Sequence, residues 1–271
     1  MGRYGMVLPN VARQVLKSDT AVRAILTYHS IDCSGSPISC HPDAFERHVE
    51  WFRSGRVRVT TIPDLLALPP AVDAVAITFD DGFVNFEEIA APRLLQHGLP
   101  VTLFVVADQT GRTNAWDGRP APGIPHLPLL DWPSLARLQA RGVTLGAHTR
   151  THRDLTHLAP AAVAEEVRGS ADVIEQRTGT RPSLFAYPYG RFDADTAAIV
   201  SSVFRYGCTT EFRVLGPQIT PAALPRLDMY YFQQPEKLAS WGTPRFDRFV
   251  ALRRGLRRLR RSAVAATGVV L

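Results

Sequence analysis

Short apolar runs alternate with longer amphipathic stretches along most of this chain. Runs rich in β-branched and aromatic residues at 22–27, 57–61, 75–79, 101–106, 143–147, 183–186, 205–209 and 225–231 predict strands. The stretches between them carry apolar residues three and four apart, as Phe45, Val49 and Phe52 do, and predict helices over 42–53, 62–68, 83–97, 132–140, 160–178 and 193–202. Local punctuation agrees with these limits. Pro63 opens a short helix, Asp131 caps the next but one, and Gly98 and Gly179 follow helix ends. Strand and helix alternating in this way imply an α/β fold, a parallel sheet with crossover helices. Some helices are short, so a barrel built from them is irregular. Residues 111–128 are rich in Gly and Pro and read as a long surface loop, the kind that often overlies a site. No internal repeat or linker interrupts the pattern. The chain therefore divides into a lead-in at 1–20, one main domain at 21–240 and a basic tail at 241–271.

Composition narrows the class. With 271 residues, 45% of them hydrophobic and 21% charged, the chain can bury a sizeable core and is not a disordered one. The formal charge of +6 is concentrated, since residues 253–261 hold six arginines. The rest is close to neutral, so the basic balance does not point to nucleic acid. Cys33, Cys40 and Cys208 show no metal-knuckle or redox spacing, and an odd count reads as reduced thiols. The first ten residues lack an apolar run of signal-peptide length and no stretch approaches a membrane span, which places the chain in the cytoplasm as an expectation. The tail interleaves Phe249, Val250, Leu252, Leu256 and Leu259 with arginines. That pattern suits peripheral contact with an anionic membrane surface, or a terminal helix packed on the domain by its leucines.

Candidate chemistry sits where the predicted strands end, which is where parallel α/β folds gather functional groups. The strand at 75–79 stops at Asp80-Asp81-Gly82. Adjacent carboxylates repel, a cation relieves that, and neighbours on extended backbone point to opposite sides, so one can bind a metal while the other handles protons. An Asp-Asp-Gly turn after a core strand is the plainer reading of that tripeptide alone. His148 and His152 follow the strand at 143–147, four residues apart. With one carboxylate they make a His-His-Asp set suited to Zn²⁺, with Co²⁺ and Ni²⁺ as alternatives, leaving a position for water. His29 and Tyr187-Pro188-Tyr189-Gly190 occupy two further strand ends.

Taken in order, Thr78-Phe79-Asp80-Asp81-Gly82, His148-Thr149-x-x-His152 and Pro188-Tyr189-Gly190 resemble the polysaccharide deacetylase family, the NodB-homology domain of carbohydrate esterase family 4. The resemblance covers residues 22–230 and implies a distorted (β/α) barrel of about seven strands. It implies a metal-dependent hydrolase that removes the N-acetyl group from an N-acetylated sugar or polysaccharide. Asp80 would be the general base, and Asp81, His148 and His152 the metal ligands. Tyr189 would supply an oxyanion-stabilising backbone N–H, with Tyr187 and Pro188 beside the substrate. An O-acetyl esterase or deformylase on a carrier-linked sugar, or a carbohydrate-binding protein without turnover, uses the same frame. Two departures stand out. The family's arginine before Pro-Tyr-Gly is replaced by Phe185-Ala186-Tyr187, and Arg226 is either its substitute or an ordinary surface residue. The family's late histidine is missing, since none follows His157, and His29 is the substitute general acid. His41, His126 and His157 read as solvated, and Trp116, Trp132 and Trp241 as sugar-stacking, core or rim residues.

Overall fold

The computed structural model describes the backbone of residues 21–267 and side chains as far as Leu259. The lead-in at 1–20 lies outside the described residues. Strands β1 (Arg23–Tyr28), β5 (Ala74–Phe79), β6 (Val101–Val105), β7 (Thr144–Ala147), β8 (Leu184–Ala186), β9 (Tyr206–Cys208) and β10 (Arg226–Asp228) form a parallel sheet in the order β10-β1-β5-β6-β7-β8-β9. Two-residue β4 (Arg58–Val59) branches off β5, and the two-residue pair β2 (Ser30–Ile31) and β3 (Ser39–Cys40) stands apart. The sheet nearly closes. Between β9 and β10 the join is a single bridge at Cys208 and Leu224, with hydrogen bonds from the Leu224 and Thr209 amides on either side. This is a (β/α) barrel of seven strands distorted at one seam.

Helices α1 (Pro42–Arg53), α2 (Ile62–Ala67), α3 (Ala91–Leu95), α4 (Trp132–Ala140), α5 (Pro160–Thr178) and α6 (Ala194–Val203) lie along the chain between the strands, followed by α7 (Pro235–Ala239) and α8 (Pro244–Thr267). Strands β1, β5 and β6 are buried along their whole length, as parallel strands covered on both faces are. Their apolar runs therefore show no alternation.

Three expectations from the pattern change in detail. The strand at 57–61 shrinks to Arg58–Val59. The helix at 83–97 becomes a π-helical turn, Phe86–Ala90, running into α3, with Pro92 at the junction removing a backbone donor. The strand at 225–231 ends at Asp228, whose side chain accepts from the Tyr230 amide and turns the chain.

The tail differs most. Leu252, Leu256 and Leu259 are 64%, 44% and 70% exposed, so α8 does not pack by its leucines. It packs by Phe246, Val250 and Phe249, and by arginines on the same side. Arg253 lies over the Tyr231 ring, Arg254 pairs with Glu211, and Arg257 reaches Asp228. Trp241 is partly buried and packs against the edge of the core on Trp51 and Phe246. No helix among the described residues is long and apolar enough to cross a membrane.

Candidate metal centre

The end of β5 separates its two carboxylates sharply. Asp80 continues the sheet, with its amide donating to the Tyr28 carbonyl, while Asp81 turns into left-handed backbone at φ 72°. Left-handed backbone costs a non-glycine residue about 1–3 kcal/mol. Among the described residues the non-glycines with positive φ are Asp81, Thr149, His152 and Tyr189, and all four belong to this site. Strain is concentrated where side chains must converge.

Asp80 is buried and fully paired. Arg226 meets it with two parallel hydrogen bonds, Nη1 to Oδ1 and Nη2 to Oδ2, each 2.7 Å. Burial alone would raise the Asp80 carboxyl, but the Arg226 charge, His148, the Arg226 hydrogen bonds and His29 outweigh it and hold the group well below the usual carboxylate range. Arg226 is itself buried and donates from Nε to the Thr209 carbonyl and from Nη1 to Thr78 Oγ1. The surface reading of Arg226 is therefore excluded. It comes from β10, and β1 lies between β10 and β5, so the barrel brings two residues far apart in sequence together. His29 Nε2 lies 3.8 Å from Asp80 Oδ2, with the ring partly open to solvent.

Asp81 faces the other way, towards His148 and His152. Its Oδ1 is 3.5 Å from His148 Nε2 and 3.4 Å from His152 Nε2. The three side chains are buried, and their ligand atoms all lie within 4.8 Å of one another. His148 Nδ1 donates to the Ala186 carbonyl at 2.7 Å, which leaves the Nε2 lone pair bare towards Asp81. Asp81 Oδ1 and His152 Nδ1 have no hydrogen-bond partner among the described residues. Burial raises the Asp81 carboxyl, and burial with the neighbouring His148 pushes the His152 imidazole well below its ordinary value. Ligand atoms of one carboxylate and two imidazoles thus converge on a buried point, a geometry a cation completes. Two ligands each about 2.0–2.1 Å from one tetrahedral ion stand about 3.3 Å apart, so the donor set fits a divalent metal.

The histidine loop is fixed from behind. The His148 amide donates to Val105 of β6, and the His152 amide donates to Thr149 Oγ1. Glu166, buried on the inner face of α5, accepts from the Arg150 and Thr151 amides and the Thr151 hydroxyl. Sequence reasoning missed Glu166. The signal was present, since it lies three residues after Val163 and one before Val167 on the buried stripe. The His152 ring is held by aromatics, with Trp116 stacked on it at 4.4 Å and Tyr189 edge-on at 4.8 Å. Trp116 comes from the loop at 111–128, which Asn114 staples with hydrogen bonds to Pro125 and Leu127. Tyr187 is wholly buried and bonds the Ala222 carbonyl, while Pro188 is buried beneath the half-exposed Tyr189. Any side chain at Gly190 would collide with Thr210, whose nearest atom lies 2.2 Å from where a Cβ would stand. His41 caps α1, and His126 bonds Thr113, both outside this cluster.

A family model described as polysaccharide deacetylase matches residues 68–204, half of the chain, including Asp80, Asp81, His148, His152 and Tyr189. The chain belongs to the polysaccharide deacetylase family. YxkH of Bacillus subtilis, named for the same family, is 25% identical over 69% of this chain and 64% of its own length. The poly-β-1,6-N-acetyl-D-glucosamine N-deacetylase of Staphylococcus aureus is 20% identical over 68% of this chain and 65% of its own length. The chain thus matches slightly under two thirds of each of these relatives. Among solved structures, the deacetylase PplD of Streptococcus pyogenes, in complex with acetate, superposes with a TM-score of 0.69 at 21% identity, covering 83% of this chain and all of that one. IcaB from Ammonifex degensii superposes at 0.67 and 22% identity, covering 82% and 96%. These likenesses establish the barrel. Arg226 and α8 lie beyond the matched residues 68–204.

Proposed function

We propose that this chain is a metal-dependent hydrolase that removes an N-acetyl group from an acetylated sugar or polysaccharide. The observation that carries the reading is the buried convergence of Asp81, His148 and His152 beside an Asp80 held ionised by Arg226. A divalent ion held by those three residues, Zn²⁺ by the chemistry of the donor set, supplies Lewis acidity that acidifies water and polarises a carbonyl. Asp80 accepts the proton of the attacking water, and Arg226 fixes the orientation of both its oxygens. His29, 3.8 Å away and partly exposed, delivers a proton to the departing amine. The left-handed turn at Tyr189 presents backbone beside the triad, where an oxyanion would need a donor.

The test is acetate release from a panel of N-acetylated oligosaccharides, with metal content measured in parallel. We expect release that a chelator abolishes and a divalent ion restores. Asp81→Asn should lose the bound metal and lower kcat/KM by about 10⁴-fold or more. Full turnover in the chelated protein would overturn the proposal.

A further inference from the structure

Beyond the triad, the barrel rim carries charge of the opposite sign. A cleft of about 250 Å³ opens past the ends of β8 and β9, lined among others by Gly190, Phe192, Glu211, Arg254, Arg257 and Arg258. It shares one turn with the metal centre. Gly190 follows Tyr189, whose ring lies against His152 and whose carbonyl accepts from Thr210 Oγ1 on the cleft side.

The cleft is not neutral. Arg254 pairs with Glu211 at 2.7 Å, Arg213 and Arg258 approach the same carboxylate at 3.5 Å, and Arg257 reaches Asp228 at 3.4 Å. Among the residues lining the cleft, three guanidinium groups face one carboxylate, a surplus of two positive charges. Holding α8 in place does not need the surplus, since Phe246 and Val250 are already buried and Arg253 lies over Tyr231 outside the cleft. Arg254 Nε is shielded from solvent and has no hydrogen-bond partner among the described residues. A shielded donor without an acceptor is costly, and an incoming oxygen removes that cost.

We infer that this cleft binds an anionic group carried by the substrate, a phosphate- or diphosphate-class ester next to the acylated sugar. The inference rests on the deacetylase reading and names the substrate class for it. Two surplus charges match a dianion, and a guanidinium fork matches phosphate oxygens in pairs. A lone carboxylate would leave one charge uncompensated. The ester can come from a soluble sugar phosphate or from a lipid phosphate, whose chain would have the outward leucines of α8 nearby.

The first experiment is calorimetric titration of the full-length, metal-loaded chain with inorganic phosphate. Arg254→Gln should weaken binding about tenfold or more, with Arg254→Lys between it and the parent. Leu256→Ala, on the outward face of the same helix, should bind as the parent does and controls for damage to the helix. Asp81→Asn should retain binding, because the anion does not sit on the metal. The second experiment compares kcat/KM for N-acetylglucosamine 1-phosphate, the same head group on a lipid in mixed micelles, and the neutral methyl glycoside. At least one phosphorylated arm should exceed the neutral one by about tenfold, and Arg254→Gln should pull that ratio towards one. Phosphate binding that Arg254→Gln leaves intact, binding lost with Asp81, or equal turnover of all three arms overturns the inference. Phosphate binding without turnover of any substrate would instead sink the hydrolase reading alone.

Discussion

Asp80 and Asp81 are neighbours in sequence but open onto regions built on opposite terms. Around Asp80 the accounting is complete. Both its oxygens are engaged by Arg226, whose Nε and Nη1 also reach the Thr209 carbonyl and Thr78. Around Asp81 two histidine nitrogens approach one carboxylate oxygen at 3.4 and 3.5 Å, Asp81 Oδ1 and His152 Nδ1 have no hydrogen-bond partner among the described residues, and the backbone is held left-handed at Asp81 and His152. A satisfied network is one that positions a group. An unsatisfied one of this shape is waiting for a ligand. On the proposed hydrolase reading the two regions divide the labour, Asp80 as an ionised base held rigidly beside a site that a cation completes.

Breaking the satisfied side gives the largest effect on stability. Arg226→Ala leaves the Asp80 carboxylate buried and uncompensated, which should cost about 3–5 kcal/mol, read from denaturant unfolding. Replacing both partners together, Asp80→Asn with Arg226→Met, should recover most of that loss without recovering activity, because neither member is then left alone. A double variant as unstable as Arg226→Ala would show that the pair packs the core rather than holding a base.

This comparison also explains what could be read from the sequence. The Asp80-Asp81 pair and the His148, His152 pair are each local, and each follows an apolar run that had to be a strand, so the triad was legible before any fold was known. Arg226 was ambiguous because its partner is 146 residues away and meets it only when β10 joins β1. From sequence Trp116 stays open between sugar stacking and a core or rim role, and its place against His152 depends on how Asn114 folds the loop at 111–128. The leucines of α8 misled because local amphipathicity does not say which face docks. Glu211 and Asp228 turn the arginines inward, and they lie 29 to 47 residues before their arginine partners in sequence. The two-residue strands β2 and β3 were too short to leave a periodic signal.

A third buried histidine sharpens the contrast, because both its ring nitrogens are bonded. His48 Nε2 donates to the Phe232 carbonyl at 3.0 Å, and Nδ1 accepts from the Tyr28 hydroxyl at 2.9 Å. Burial pushes its imidazole down to about 4, against a weaker upward pull from the Phe232 carbonyl. Between its ordinary value of 6.5 and about 4 the unfolded chain binds the proton and the folded chain does not. Stability from this group is therefore full above pH 6.5 and is lost as pH falls towards 4, on the order of 3 kcal/mol across the window. His48→Gln should flatten that part of the stability profile, measured by urea unfolding at several pH values, and leave metal content unchanged. An unaltered profile would place the titration elsewhere.

His29 tests the boundary between the two regions. It sits on the Asp80 side, 3.8 Å from Oδ2, but unlike Arg226 it is partly exposed and makes no close hydrogen bond to the carboxylate. That position suits the proton delivery proposed for it, whereas a purely structural partner would be drawn in and bonded. His29→Ala should therefore lower kcat by on the order of a hundredfold, with metal content and unfolding midpoint close to those of the parent. Its signature should lie in leaving-group dependence. A substrate whose amine departs easily, such as an acetanilide with an electron-withdrawing ring, should lose less on substitution than an N-acetyl sugar. An equal loss on both would mean that His29 orients Asp80 rather than protonating the amine.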